Sequence, residues 1–99
     1  MTATFMHIGR FNIRAEDRDA FINLMREYEN SAPQDGLDHS HLIEDETAKG
    51  TFMHVTVWDQ RDHWVAVEET PVHKDMHEKR NKMLNAPMEH DFVCGSIEI

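Results

Sequence analysis

Apolar and polar residues alternate from Thr4 to Ile13, TFMHIGRFNI, with Phe5, His7, Gly9, Phe11 and Ile13 on one side and Met6, Ile8, Arg10 and Asn12 on the other. Period-two alternation predicts a half-buried strand. Gly9 inside it marks a bulge or a close approach by something bulky. Residues 15–31 change period. Phe21, Leu24, Met25 and Tyr28 fall at helical spacing, which makes one apolar stripe, and Glu16 and Asp17 suit the positive N-terminal end of a helix. The run Ser31-Ala32-Pro33-Gln34-Asp35-Gly36 breaks it. A weaker strand is predicted over 37–44, LDHSHLIE, with His39 and His41 on one face, followed by a polar turn over 45–50.

The stretch from Gly50 onward is the most informative. TFMHVTVW is strongly β in propensity, with Phe52, His54, Thr56 and Trp58 on one face and Met53, Val55 and Val57 on the other. A short helix is predicted after Trp58. A new helix starts at Pro71, capped by Thr70, carries Val72, Met76, Met83 and Leu84, and runs to about Asn85. DFVCGSIEI, 91–99, is a last strand. The order β-α-β-β-α-β, with its second helical region split, is a ferredoxin-like α+β pattern with a four-stranded antiparallel sheet. Two helices cover one face of such a sheet. The surplus face, with Met6, Ile8, Met53, Val55 and Val57, needs a partner, and a second copy of the chain is the simplest one. A homodimer joined through the sheet face is therefore expected.

Composition narrows the function classes. Ninety-nine residues make one domain, 1–99, which buries roughly 60–70% of its unfolded surface. A net charge of −9 argues against a duplex nucleic-acid binder, which needs a basic footprint, and against an anionic membrane surface. The one cysteine, Cys94, excludes an intrachain disulfide and is expected to be a buried small hydrophobe. The start MTATFMHIGRF lacks the features of a secretory signal and no run is long enough to span a membrane, so cytoplasmic residence is the expectation. No phosphate-binding glycine loop or dinucleotide fingerprint is present. Eight histidines direct attention to proton transfer, metal or haem chemistry.

His7 and His54 share a parity with Gly9 and Thr56, so all four are expected to face a pocket between sheet and helices. Imidazole there can take a phenolic proton near neutral pH. His73 and His77 stand four apart and share a helix face. That spacing can chelate a metal or place one histidine in a pocket; HKDMH is not the zincin motif, and His73 is expected to be solvated. His39 and His41 can bind a metal as an HxH pair, but a solvated edge strand accounts for them, and no metal site is assigned. Trp64 is the expected pocket wall; Trp58 and the phenylalanines, Phe52 and Phe92 among them, are expected core, some facing the cavity.

The landmarks HIGRFNIR, AFINLMREY, DGLDHSHLIED, FMHVTVW and TPVHKDMH, in this order over nearly the whole chain, resemble the antibiotic biosynthesis monooxygenase superfamily of dimeric α+β barrels. The resemblance implies a pocket between sheet and helices in each subunit of a homodimer. It implies a monooxygenase that needs no cofactor and oxidises a small flat aromatic, a phenol or quinol, with O2. The expected catalytic residues are His77, His54 and His7, with Trp64, Gly9, Thr56, Val67 and Phe52 around the substrate. Many members carry a glutamate where this chain has Thr56, and a histidine near Val67-Glu68-Glu69. A haem-degrading branch is similar in spacing, and there His77 falls on the axial-ligand position. Gly9 and Val67 stand where that branch has an asparagine and a tryptophan. Haem binding through His77 is thus the alternative, and a non-catalytic small-molecule or metal-binding dimer a third reading.

Overall fold

The structure is a computed structural model and describes residues 5–31, 35–88 and 91–99. Strands β1 (Phe5–Asn12), β2 (Leu37–Glu44), β3 (Thr51–Trp58) and β4 (Asp91–Gly95) form one sheet in the order β2-β3-β1-β4, and every neighbouring pair is antiparallel. Helices α1 (Arg18–Ser31), α2 (Arg61–Glu68) and α3 (Pro71–Asn81) connect them. The ferredoxin-like α+β arrangement is therefore present, with its second helical region divided as the Thr70-Pro71 break predicts.

The alternating pattern decides which face the helices cover. Phe11 and Phe52 sit opposite one another across β1 and β3, and both rings pack on the fully buried Phe21 of α1 at centroid distances of 5.4 and 4.9 Å. Met25, Tyr28 and Met76 complete this cluster. Each large apolar side chain so buried contributes roughly 1.5–3 kcal/mol by transfer from water. A second cluster joins Phe5, Trp58 and Val67, with Leu37 and Trp64 against it. The opposite face carries Met6, Ile8, Met53 and Val55, all half-buried.

Local chemistry sets the ends of the elements. Pro71 occupies the first turn of α3, and Thr70 Oγ1 accepts a hydrogen bond from the His73 N–H at 3.2 Å. Gly36 (φ +83°) and Gly50 (φ +91°) provide the left-handed turns before β2 and β3, a conformation that costs glycine nothing. Four expectations are corrected, and one of the two readings of Gly9 is decided. The first helix opens with a 3-10 turn at Ala15–Asp17. α3 ends at Asn81 rather than Asn85, because the chain turns back to pair with β1, with Asn85 N–H donating to the Asn12 carbonyl at 2.8 Å. β4 ends at Gly95, and Ile97 and Ile99 lie exposed beyond it. Phe92 and Cys94 are exposed rather than core, because they pair with Ile8 and Met6 on the face that the helices leave open. Gly9 marks no bulge. β1 pairs without a break, and the close approach is that of the Phe11 ring, 3.3 Å from where a Gly9 Cβ would stand. The irregularity lies in β2, between Leu37 and His39. Of the predicted breaker run, 32–34 lie outside the described residues.

Candidate active site

The covered face of the sheet carries the histidines. Strand parity places His7, Gly9, His54 and Thr56 toward the helices, where Trp64 and Val67 of α2 and His73, Met76, His77 and Arg80 of α3 meet them around a narrow cavity of about 20 Å³. The sequence therefore brought together every predicted site residue except Phe52. That cavity has room for about one water molecule. Phe52 is a core residue whose edge faces a second space, an open groove of about 510 Å³ between α1 and strands β2 and β3. Ile22, Met25, Leu42 and Phe52 give the groove apolar surface, and the paired Arg18 and Glu44 stand at its rim. His54 lines both spaces.

Each histidine has a distinct setting. His7 stacks on Trp64 at 4.9 Å with a 28° interplanar angle and lies 3.6 Å from Asp91 Oδ2. Burial holds its pKa below the ordinary value, and Asp91 partly opposes that. His54 Nε2 lies 2.9 Å from Glu29 Oε1, while Ser40 Oγ donates to Glu29 Oε2 at 3.0 Å. The hydrogen bond from His54 keeps the Glu29 carboxyl below the usual carboxylate range against the opposing effect of burial. With Glu29 accepting from Nε2–H, a neutral His54 carries its lone pair on Nδ1.

His73 is buried rather than solvated, which corrects the sequence expectation. The Thr70 cap turns the first turn of α3 so that His73 meets Tyr28, and its Nδ1 lies 2.8 Å from Tyr28 Oη. Burial pushes the Tyr28 phenol well above its usual pKa. His73 Nε2 stands 2.7 Å from Glu68 Oε2, yet the carboxylate lies off the ring N–H direction and Nε2 has no directed hydrogen bond. The His73 imidazole nevertheless holds the Glu68 carboxyl below its ordinary pKa. His77 packs on His73 with ring centroids 4.0 Å apart. Burial, then the charge of Arg80 and the His73 imidazole, lower the His77 pKa to about 4.

Thr56 Oγ1 accepts from Trp58 Nε1 at 2.8 Å, which ties it to the strand end. Val67 belongs to the core. His39 and His41 are exposed on β2, as expected for a solvated edge pair. Sequence reasoning missed Tyr28 as a polar partner, and also Glu29, Glu68 and Arg80. Glu68 was legible in part, since it stands five residues before His73 across a capped break. Nothing local pairs Glu29 with His54, 25 residues away. The surroundings of His77 do not fit a haem, because a cavity of about 20 Å³ beside a buried arginine leaves a porphyrin no space.

The family model for antibiotic biosynthesis monooxygenase matches residues 4–79. The chain belongs to that family, and membership supports a monooxygenase-type function. Solved structures share the fold. Rv0793 from Mycobacterium tuberculosis superposes with a TM-score of 0.84 at 17% identity, covering 98% of both chains. A candidate antibiotic biosynthesis monooxygenase from Nitrosomonas europaea gives 0.84 at 14% identity, covering 98% of this chain and 94% of its own. Another candidate, from Chloroflexus aurantiacus, gives 0.77 at 19%, covering 97% and 95%. At these identities the likeness is one of fold. No functionally curated protein matches the sequence closely enough to count as a relative.

Proposed function

We propose that the protein is a monooxygenase that oxidises a flat phenol or quinol with O2 in the groove between α1 and the sheet, with His54 as base. One observation carries this reading. His54 lines the open groove while Glu29, itself held by Ser40, fixes its orientation. A groove of about 510 Å³ falls within the range of small-molecule sites. A base oriented by a carboxylate is the arrangement that proton abstraction needs. His77 is the poorer base, because an imidazole with a pKa near 4 has little driving force toward a phenolic proton. His7, also lowered and stacked beneath Trp64, is better suited to packing than to turnover.

In the proposed reaction, His54 Nδ1 takes the phenolic proton. The phenolate gives one electron to O2, and the caged radical pair couples to form a C–O bond. Loss of the ring hydrogen at that carbon cleaves the O–O bond. One oxygen stays as a quinone carbonyl and the other leaves as water, so the aromatic supplies all four electrons and no separate reductant is consumed. The protein provides orientation, desolvation and the base. The apolar outer face of the sheet supports pairing of two copies through that face.

Oxygen uptake with a panel of hydroquinones and naphthols tests the reading. His54→Gln and Glu29→Gln should each lower kcat, His54→Gln by roughly a hundredfold or more. Full activity in His54→Gln would remove the base assignment, and no uptake with any member of the panel would remove the substrate class.

A further inference from the structure

One cluster is left unused by this chemistry. The short junction between α2 and α3 folds Glu68 back beside His73 and His77, which stand one helical turn apart. One ligand atom from each of the three lies within 4.8 Å of the other two. His73 is buried, and its Nε2 stands 2.7 Å from Glu68 Oε2 without a well-aligned hydrogen bond between them. A buried polar atom so placed asks for a reason in a native protein. The adjoining cavity of about 20 Å³, bordered by His73 and His77, holds one water-sized occupant.

The geometry points to a binding site for a single divalent first-row transition-metal ion, held by Glu68, His73 and His77. Two imidazoles and a carboxylate suit zinc, cobalt, nickel or iron, whereas magnesium and calcium prefer oxygen ligands throughout. An ion about 2.0–2.2 Å from each donor needs the donors roughly 3.0–3.5 Å apart. The widest spacing must therefore contract by roughly 1.3–1.8 Å, a movement asked of Glu68, half-buried at the end of α2. Tyr28 Oη at His73 Nδ1 is the outer partner that a ligating histidine ordinarily has; accepting from Nδ1–H, it leaves Nε2 free to ligate. Three protein ligands would leave at least one coordination position for water. Arg80, buried on the same helix, faces that cavity too, and its charge opposes the ion. Removing that charge should tighten binding. This inference is independent of the oxygenase reading, because its ligands are not the groove residues and its test reads binding without turnover.

The test is a titration of tag-free, chelator-stripped protein with Co2+, followed by its visible d–d absorption and by calorimetry, with Zn2+ as competitor. One Co2+ per chain is expected, displaced by Zn2+. Glu68→Gln and His77→Gln should each weaken binding by roughly tenfold or more, and the double change His39→Gln/His41→Gln should leave it unchanged. Arg80→Met should strengthen it severalfold. Far-UV circular dichroism reports whether each variant is folded. If both ligand variants unfold, the Arg80→Met protein decides, and unchanged or weaker affinity there overturns the site. Absence of binding at millimolar Co2+, full affinity in a folded Glu68→Gln or His77→Gln variant, or loss of binding with the His39/His41 change would also overturn it.

Discussion

Tyr28→Phe isolates the bond that ties α1 to α3. Tyr28 and His73 are 7% and 9% exposed and their polar atoms are 2.8 Å apart. Phenylalanine has the same shape without the hydroxyl, so the substitution opens no cavity of consequence. What it removes is the partner of a buried imidazole nitrogen. Leaving such a group unsatisfied costs roughly 1–3 kcal/mol, more than the net worth of an average hydrogen bond. For a domain of this size each kcal/mol lowers Tm by about 4–8 °C, so a fall of roughly 4–24 °C is expected. The assay is thermal and urea unfolding at fixed protein concentration with chelator present, since any subunit pairing or bound metal would shift apparent stability by mass action. A double-mutant cycle with His73→Gln should give a coupling of roughly 0.5–3 kcal/mol. A Tyr28→Phe protein within ~0.3 kcal/mol of the parent, or strictly additive singles, would refute the reasoning.

Three further outcomes follow from the same structure. Phe21→Ala, at a side chain with no exposed surface, should cost roughly 3–5 kcal/mol by denaturant unfolding; a cost below 1 kcal/mol would mean that α1 does not pack on β1 and β3 as described. Gly36→Ala places a side chain at φ +83° and a Cβ 2.1 Å from His63 Nδ1 and 2.5 Å from Asp59 Oδ1, so it should lose ~1–3 kcal/mol and separate the His63–Asp59 pair now 2.6 Å apart; a stability gain, as in an ordinary Gly→Ala exchange, would contradict this. In acid, His7 and His77 both resist protonation in the folded state, with pKa values lowered from 6.5, that of His77 to about 4. The unfolded chain then binds more protons, so stability is complete above about pH 6.5 and falls as pH drops toward 4. The lowered Glu29 and Glu68 act in the same direction below about pH 4.5. His77→Gln should flatten the fall between pH 6.5 and 4, and an unchanged profile in that variant would count against the burial of His77.

Strand parity made much of this site legible. A side chain on β1 or β3 has two faces to choose from, and a run such as FMHVTVW shows its choice through Phe52 and Trp58. His54 and Thr56 follow by counting, and the pairing of β1 with β3 then brings His7 and Gly9 beside them. Helix residues are harder. His73 is one turn from His77, but its burial depends on where Tyr28 arrives from the other helix, and that is set by how α1 crosses α3. The same holds for Glu29 and His54. Phe92 misled for a related reason. It was expected in the core, but β4 pairs it with Ile8 on the face that the helices leave open.

The two spaces beside His54 differ in what it takes to use them. To admit a flat ring, the narrow cavity of about 20 Å³ would have to draw α2 and α3 away from the sheet. That would separate Trp64 from His7 and expose Val67 and Met76, now 5% and 3% accessible. Exposing a large apolar side chain costs roughly 1.5–3 kcal/mol, a penalty that binding must offset before any affinity appears. The groove demands no such rearrangement, since Ile22, Met25 and Leu42 already border open space. His54 stands in the wall between them. On the proposed reading a substrate in the groove would meet His54 from the open side, while the narrow side, with His7, His73 and His77 around a volume suited to a single ion or water, would stay available for the proposed metal.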